Sequence, residues 1–364
     1  MSGVYRLIGA EASYYTGKVR AYLRWKRIPF VEVFASQQVY REIIVPRTGV
    51  KYIPVLLSPD DVAVQDSSEI IDFLEARFPE PPAYPPTPLQ RLVAILLEIY
   101  ADEWMVLPAM HYRWSFAENR AFILREFGAS ALPEGTRAAQ IEAGEKLAAP
   151  FAGALPFLAV TARTIPAIEA WYEGLLAELD AHFARHPFLL GGRPSLADFG
   201  LMGPLYAHLY RDPYPGRLMR TRAPRVAAWV ERMNAPAADA GELLPHDAIP
   251  DTLLPVLRRM FAEHCPVLVD TAARLADWLD ANPGAPIPRV IGTHEVTIGG
   301  VRESRALFPY TVWMWQRAID CYAALDPAAR ERVDAFLDAH GGLRAMQTPI
   351  RRRVARVRNR LVAA

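Results

Sequence analysis

Residues 79 to 88 read PEPPAYPPTP, and no regular helix or strand can run through such a stretch. Each proline removes a backbone N–H and fixes its own φ, so the segment acts as a stiff, extended connector. It separates two kinds of pattern. Before it, strand-like and helix-like runs alternate; after it, almost everything has helical periodicity.

In the first segment, Val4 to Ile8 and Phe30 to Phe34 have strand character. Between them Val19, Tyr22, Leu23 and Trp25 mark an amphipathic helix with its basic residues on the outer side. Ile53 to Leu57 and Val62 to Val64 read as a hairpin around Ser58-Pro59-Asp60-Asp61, and a helix follows from Asp66 to Arg77. The order is β-α-β-α-β-β-α. Beyond the connector, helical patterns cover about 88 to 116, 136 to 149, 166 to 185, 195 to 211 and 224 to 234. A third segment from about 240 begins with helix-like 251 to 281. A hairpin follows, His294 to Ile298 turning at Gly299-Gly300, then helices at 308 to 325 and 328 to 339, and the basic tail RRRVARVRNR. The expected fold class is α+β, with domains at 1–80, 88–239 and 240–364, the last mostly helical with one hairpin.

Lysine plus arginine number 41 against 40 acids, so no overall field recruits nucleic acid or an anionic membrane. Only Cys265 and Cys321 occur, with no CxxC or Cys/His cluster, which argues against a disulfide framework, a zinc site or a dithiol pair. The start lacks the layout of a signal peptide and no apolar run is long enough to span a bilayer, so a cytoplasmic location is expected.

Three places in the first segment carry possible chemistry. Ser13, followed by Tyr14 and Tyr15, lies just past a strand and just before a helix, where unpaired N–H groups and the positive helix end favour an anion. The same serine also suits a simple N-cap. Tyr52-Ile53-Pro54 places a proline before a strand; a cis bond there turns Ile53 outward to pair with a passing peptide, and a trans bond merely starts an edge strand. Asp66-Ser67-Ser68-Glu69 is a capping box, and such a helix start also binds the two charged ends of an amino acid.

Taken in this order and spacing, the three resemble the cytosolic glutathione transferase superfamily over about residues 4 to 235. The resemblance lies in Ser13-Tyr14-Tyr15 with Lys18-Val19-Arg20 behind it, in Ile53-Pro54, in Asp66-Ser67-Ser68-Glu69-Ile70, and in HPFLLGGRPSLADFGLMGPLY, where Ser195 and Asp198 form a structural capping box. It implies a thioredoxin-like domain, an all-helical domain, glutathione as co-substrate, no metal, and a homodimer. Ser13 falls where serine-type and cysteine-type members keep the residue that faces the sulfur. A tyrosine, Tyr14 or Tyr15, is the alternative, because Tyr14 stands where serine-type members usually have proline. Pro54 would be cis, Ile53 would pair with the cysteinyl backbone, and Asp66 with Ser67 would hold the γ-glutamyl end. Lys51 is a candidate for the glycine end.

A second, apolar or aromatic substrate is expected between the domains. Tyr100, Trp104 and His111 recur at about helical spacing and could share one face, with packing as the plainer explanation. Residues 240 to 364 lie outside the resemblance; the expectation is that they cover the cleft or enlarge a subunit interface, and that the tail, with Val354, Val357 and Leu361 at helical spacing, forms a solvated terminal helix. Three functions fit: a transferase, a glutathione-binding or protein-interaction module without turnover, and a glutathione-dependent isomerase, reductase or ether-cleaving enzyme.

Overall fold

The computed structural model describes residues 3–235 and 241–364; the expected boundary at 239/240 lies outside the described residues. Along the chain run β1 (Tyr5–Gly9), α1 (Tyr14–Trp25), β2 (Phe30–Phe34), α2 (Gln37–Val39), α3 (Val45–Thr48), β3 (Val55–Leu57), β4 (Ala63–Gln65) and α4 (Ser67–Arg77). Helices α5 (Pro88–Ile99), α6 (Val106–Ser115), α7 (Ala117–Ala131), α8 (Arg137–Ala152), α9 (Ile165–Phe183), α10 (Leu196–Ala207), α11 (Pro213–Arg222) and α12 (Pro224–Asn234) follow. The last third holds α13 (Leu254–Arg259), α14 (Cys265–Ala281), β5 (Thr293–Ile298), β6 (Val301–Ala306), α15 (Tyr310–Ala323), α16 (Pro327–His340), α17 (Leu343–Gln347), β7 (Val354–Val357) and β8 (Arg360–Ala363).

These elements form two compact units that interleave along the chain. One comprises Met1–Ala83, Pro108–Leu155 and Phe199–Asp239; the other comprises Tyr84–Leu107, Pro156–Asp198 and Ala240–Ala364. In the first unit the sheet has the order β2-β1-β3-β4, with β1 and β2 parallel and the other two pairs antiparallel. Ile8, Ile44, Val55 and Leu57 close one apolar cluster of this unit. Helix α1 is buried nearly throughout, packed against α4, α12 and the rings of this unit, Tyr22 and Trp25 each 5.3 Å from Phe199. This corrects the expected outward basic face. Lys18 and Arg20 are both fully buried, Lys18 Nζ donating to Ser68 Oγ at 3.0 Å and Arg20 paired with Glu32 and Glu11.

The expected helix at 88–116 is two helices. A π-turn at Tyr100–Trp104 ends α5, Met105 is a turn, and α6 restarts at Val106, so the spacing that aligned one face across this stretch is broken. Helix α7 has no counterpart among the expected elements. It packs against α8 so closely that Gly128 and Gly144 leave no room for a Cβ beside the facing backbone.

In the second unit, the last third of the chain builds directly onto α5 and α9. Asp247 accepts from the N–H groups of Leu89 and Gln90 at 2.9 Å each, capping the first turn of α5, while the Gln90 amide donates to the carbonyls of Leu244 and Ala248. Ala272, Leu275, Leu279, Val312 and Val354 form a core of this segment's own. The hairpin β5–β6 turns at Gly299-Gly300, whose positive φ values of 53° and 83° suit a two-residue turn. The basic tail is a second hairpin, β7–β8, and not a helix. Arg358 and Asn359 both adopt positive φ at its turn, and Arg351, Arg352 and Arg353 pair with Asp277, Asp280 and Asp320. Those ion pairs leave the tail much less cationic than its composition implies.

Five of the described histidines are almost wholly buried, and in three of them burial holds the imidazole far from its usual value. Burial lowers His182 to about 4; burial, then Arg113 and Arg211, hold His208 well below its usual value; burial, then Arg305, does the same for His264. The fold therefore binds fewer protons than the unfolded chain, whose histidines titrate at about 6.5. Stability is complete above that pH and falls as pH drops towards the folded values. For His182 the expected loss between pH 6.5 and 5 is about 2 kcal/mol, read as a shift of the urea midpoint. A midpoint that stays constant over that interval contradicts this.

Candidate functional site

The turn after β1 is shaped by contact. Gly9 ends the strand where a Cβ would lie 2.4 Å from the side chain of Thr16, so only glycine lets the first turn of α1 come so near. Ser13 is the N-cap of α1. Its Oγ accepts from the Thr16 N–H at 3.3 Å and from the Thr16 hydroxyl at 2.9 Å. The cap reading is thus what the structure shows, and the hydroxyl proton of Ser13 goes to no described residue.

The two tyrosines differ. Tyr14 is buried, its ring edge-on to His208 at 5.4 Å and close enough to Gly203 that a Cβ there would lie 2.9 Å away. Tyr15 is partly exposed, its ring 4.9 Å from that of Tyr14. Tyr14, where the resemblance leads one to expect proline, is an aromatic packed into the core of this unit. Beside the turn, Tyr206 donates to Glu11, which also meets Arg20 at 3.1 Å; burial first, then that carboxylate, pushes Tyr206 up to about 12.

The Ile53–Pro54 bond is cis, and Ile53 takes part in none of the strand pairings. Lys51 is exposed next to it. At the start of α4, Asp66 accepts from the N–H groups of Ser68 at 2.8 Å and Glu69 at 3.3 Å. Its φ of 93° is a conformation that L-residues seldom adopt. The N–H and the hydroxyl of Ser67 have no hydrogen-bond partner among the described residues. The result is a helix start with one unused backbone donor, one unused hydroxyl and a carboxylate, a set that suits the charged end of an amino acid.

Tyr100, Trp104 and His111 are not one face. Tyr100 and Trp104 both pack on His264, at 5.9 and 5.2 Å between ring centres, in the second unit. His111 belongs to the first unit, its Nδ1 2.9 Å from Ser115 Oγ. All three are at most 1% exposed, so they offer no surface to a second substrate as folded. Sequence reasoning missed His264 and Arg305, which surround Trp104, and Arg113, which reaches the carbonyl of Ala12. No local pattern marks such contacts, because the partners are far apart in the chain. Among the described residues, no group of three or more His, Cys, Asp or Glu side chains is placed to hold a metal ion, and no helix is long and apolar enough to cross a membrane.

The family model for the glutathione S-transferase N-terminal domain matches residues 7–82, and that for the C-terminal domain matches residues 169–232. These two stretches of the chain carry the N- and C-terminal domains of the glutathione S-transferase superfamily. Among solved structures it is similar to a glutathione S-transferase of Rhodospirillum rubrum, with 18% identity, 68% of this chain and 99% of that one covered, and a TM-score of 0.42. It is also similar to the β-etherase LigF of a Sphingobium species, with 18% identity, 64% and 95% covered, and a TM-score of 0.43. A third is a glutathione S-transferase of Methylobacterium radiotolerans in complex with glutathione sulfonate, with 22% identity, 68% and 100% covered, and a TM-score of 0.38. A comparison with curated proteins finds no match.

Proposed function

We propose that this chain binds glutathione on its first eighty residues and uses Ser13 to stabilise the thiolate, which then attacks an electrophile. The γ-glutamyl carboxylate sits on the Ser67 N–H and hydroxyl, with Asp66 beside the ammonium. Ile53 pairs with the cysteinyl backbone next to cis Pro54, and Lys51 takes the glycine carboxylate. In the reaction the sulfur–carbon bond forms as the electrophile's leaving group departs with its electron pair. Isomerisation, reduction and ether cleavage begin from the same thiolate, so product analysis separates them.

The observation that carries this reading is the state of the Ser13 hydroxyl, fixed through its oxygen by Thr16 with its proton still to give. A thiol of pKa about 8.5 is mostly protonated at neutral pH, and each unit of lowering raises the thiolate fraction about tenfold until it saturates. Calorimetry tests the binding half. The wild type is expected to bind glutathione, and Ser67→Ala to bind it about tenfold more weakly, the loss of one hydrogen bond to a charged group. No binding by the wild type would overturn the proposal in favour of a protein-interaction module.

A further inference from the structure

The peptide group joining Ala12 to Ser13 is held on both sides. Its N–H donates to the Ala10 carbonyl at 3.1 Å, and its carbonyl accepts from Arg113 Nη1 at 2.8 Å. Arg113, on α6, is itself immobilised and buried. Its Nε and Nη2 each lie 2.8 Å from a different carboxylate oxygen of Asp212, and Nη2 also donates to the Ala207 carbonyl at 2.5 Å. Every part of this arrangement lies in the first unit. The charge of Arg113 is matched by Asp212, so what the guanidinium supplies to the turn is direction more than field. A planar fork fixes distance and angle together, which a rotating ammonium does not.

We propose that Arg113 is a positioning residue for thiolate stabilisation: by fixing the Ala12–Ser13 peptide it sets where the Ser13 hydroxyl points. The inference rests on the glutathione reading above. Other charged or titratable groups facing the pair are Arg211, Glu126 and His208; burial raises the Asp212 carboxyl, and Arg113 opposes that rise. His208 in turn lies against Tyr14, so the same cluster supports the first turn of α1 from two directions.

The test is Arg113→Lys, which keeps the charge and loses the fork, examined by ultraviolet titration of the bound glutathione thiol and by calorimetry. The expected result is a thiol pKa about one unit higher, a roughly tenfold smaller thiolate fraction near neutrality, and a glutathione Kd within about threefold of the wild type. In a Ser13→Ala background the same substitution should add nothing, because the two residues act through one hydroxyl. A folded Arg113→Lys with an unchanged thiol pKa overturns the inference, and so does an equal rise in the Ser13→Ala background. If Arg113→Lys does not fold, Asp212→Asn is put through the same measurements with the same deciding outcomes. Failure of the wild type to bind glutathione would instead sink the parent reading before any variant is made.

Discussion

Replacing Ser13 by Ala is expected to lower turnover with an electrophilic substrate by about 100-fold, in line with the loss of one donor to a developing or resting anion. Glutathione affinity should change by less than about threefold, because the contacts proposed for the tripeptide lie at Lys51, Ile53, Asp66 and Ser67. The substitution also deletes the cap that Thr16 uses, at about 1 kcal/mol of stability. Ser13→Thr separates the two effects, since it keeps a hydroxyl and a cap. Turnover restored by Thr but absent with Ala assigns the chemistry to the hydroxyl. Full turnover in Ser13→Ala would instead hand the role to Tyr15 or to the backbone.

A chain ending after Asn234 is expected not to fold to a stable form, with loss of near-ultraviolet circular dichroism and a collapsed urea transition. The segment it lacks supplies the Asp247 cap of α5, the partners of the buried Gln90 amide, and the Glu263 carboxylate that accepts from Trp171 at 2.6 Å. It also covers Tyr100 and Trp104 with His264. Re-exposing large side chains of this kind costs roughly 1.5–3 kcal/mol each, and a handful reaches the 5–15 kcal/mol that holds a typical domain together. This differs from a segment that merely shields a cleft or widens an interface, whose removal leaves a folded remainder. A truncated protein with a wild-type urea midpoint would show that residues 240–364 are an accessory after all.

What was legible in the sequence was local. Asp66 and Glu69, Ser195 and Asp198, and Gly299-Gly300 each act within a few residues of themselves, and each is where its spacing placed it. The cis bond before Pro54 was implied only by the resemblance, since a proline ahead of a strand fits a trans bond as well. Contacts over long separations were not legible. Lys18 read as an outward basic residue because nothing in its own helix shows that Ser68, fifty positions on, comes to meet it. Arg113 lies 101 positions from Ala12, and its role follows only from the fold. The tail failed for another reason: Val354, Val357 and Leu361 fit a helical period by coincidence, while the two-residue turn at Arg358-Asn359 lacks the glycine that usually advertises a hairpin. The face of Tyr100, Trp104 and His111 failed because a π-turn, which has no sequence signature of this kind, shifts the register between them.

The cap on α5 carries a consequence for how the protein comes into being. Its first two N–H groups wait for a carboxylate encoded 157 and 158 positions later, and the ring that covers Trp104 is encoded later still. The sheet unit's strands and the turn bearing Ser13 lie within the first eighty residues and can be ordered early in synthesis. The second unit cannot be closed until Asp247 and His264 have been delivered, so α5 and the aromatics that follow it, Tyr100 and Trp104, are uncovered for much of synthesis. Synthesis of the segment bearing Asp247 and His264, and not formation of α5 itself, is the step expected to commit the second unit to its native state.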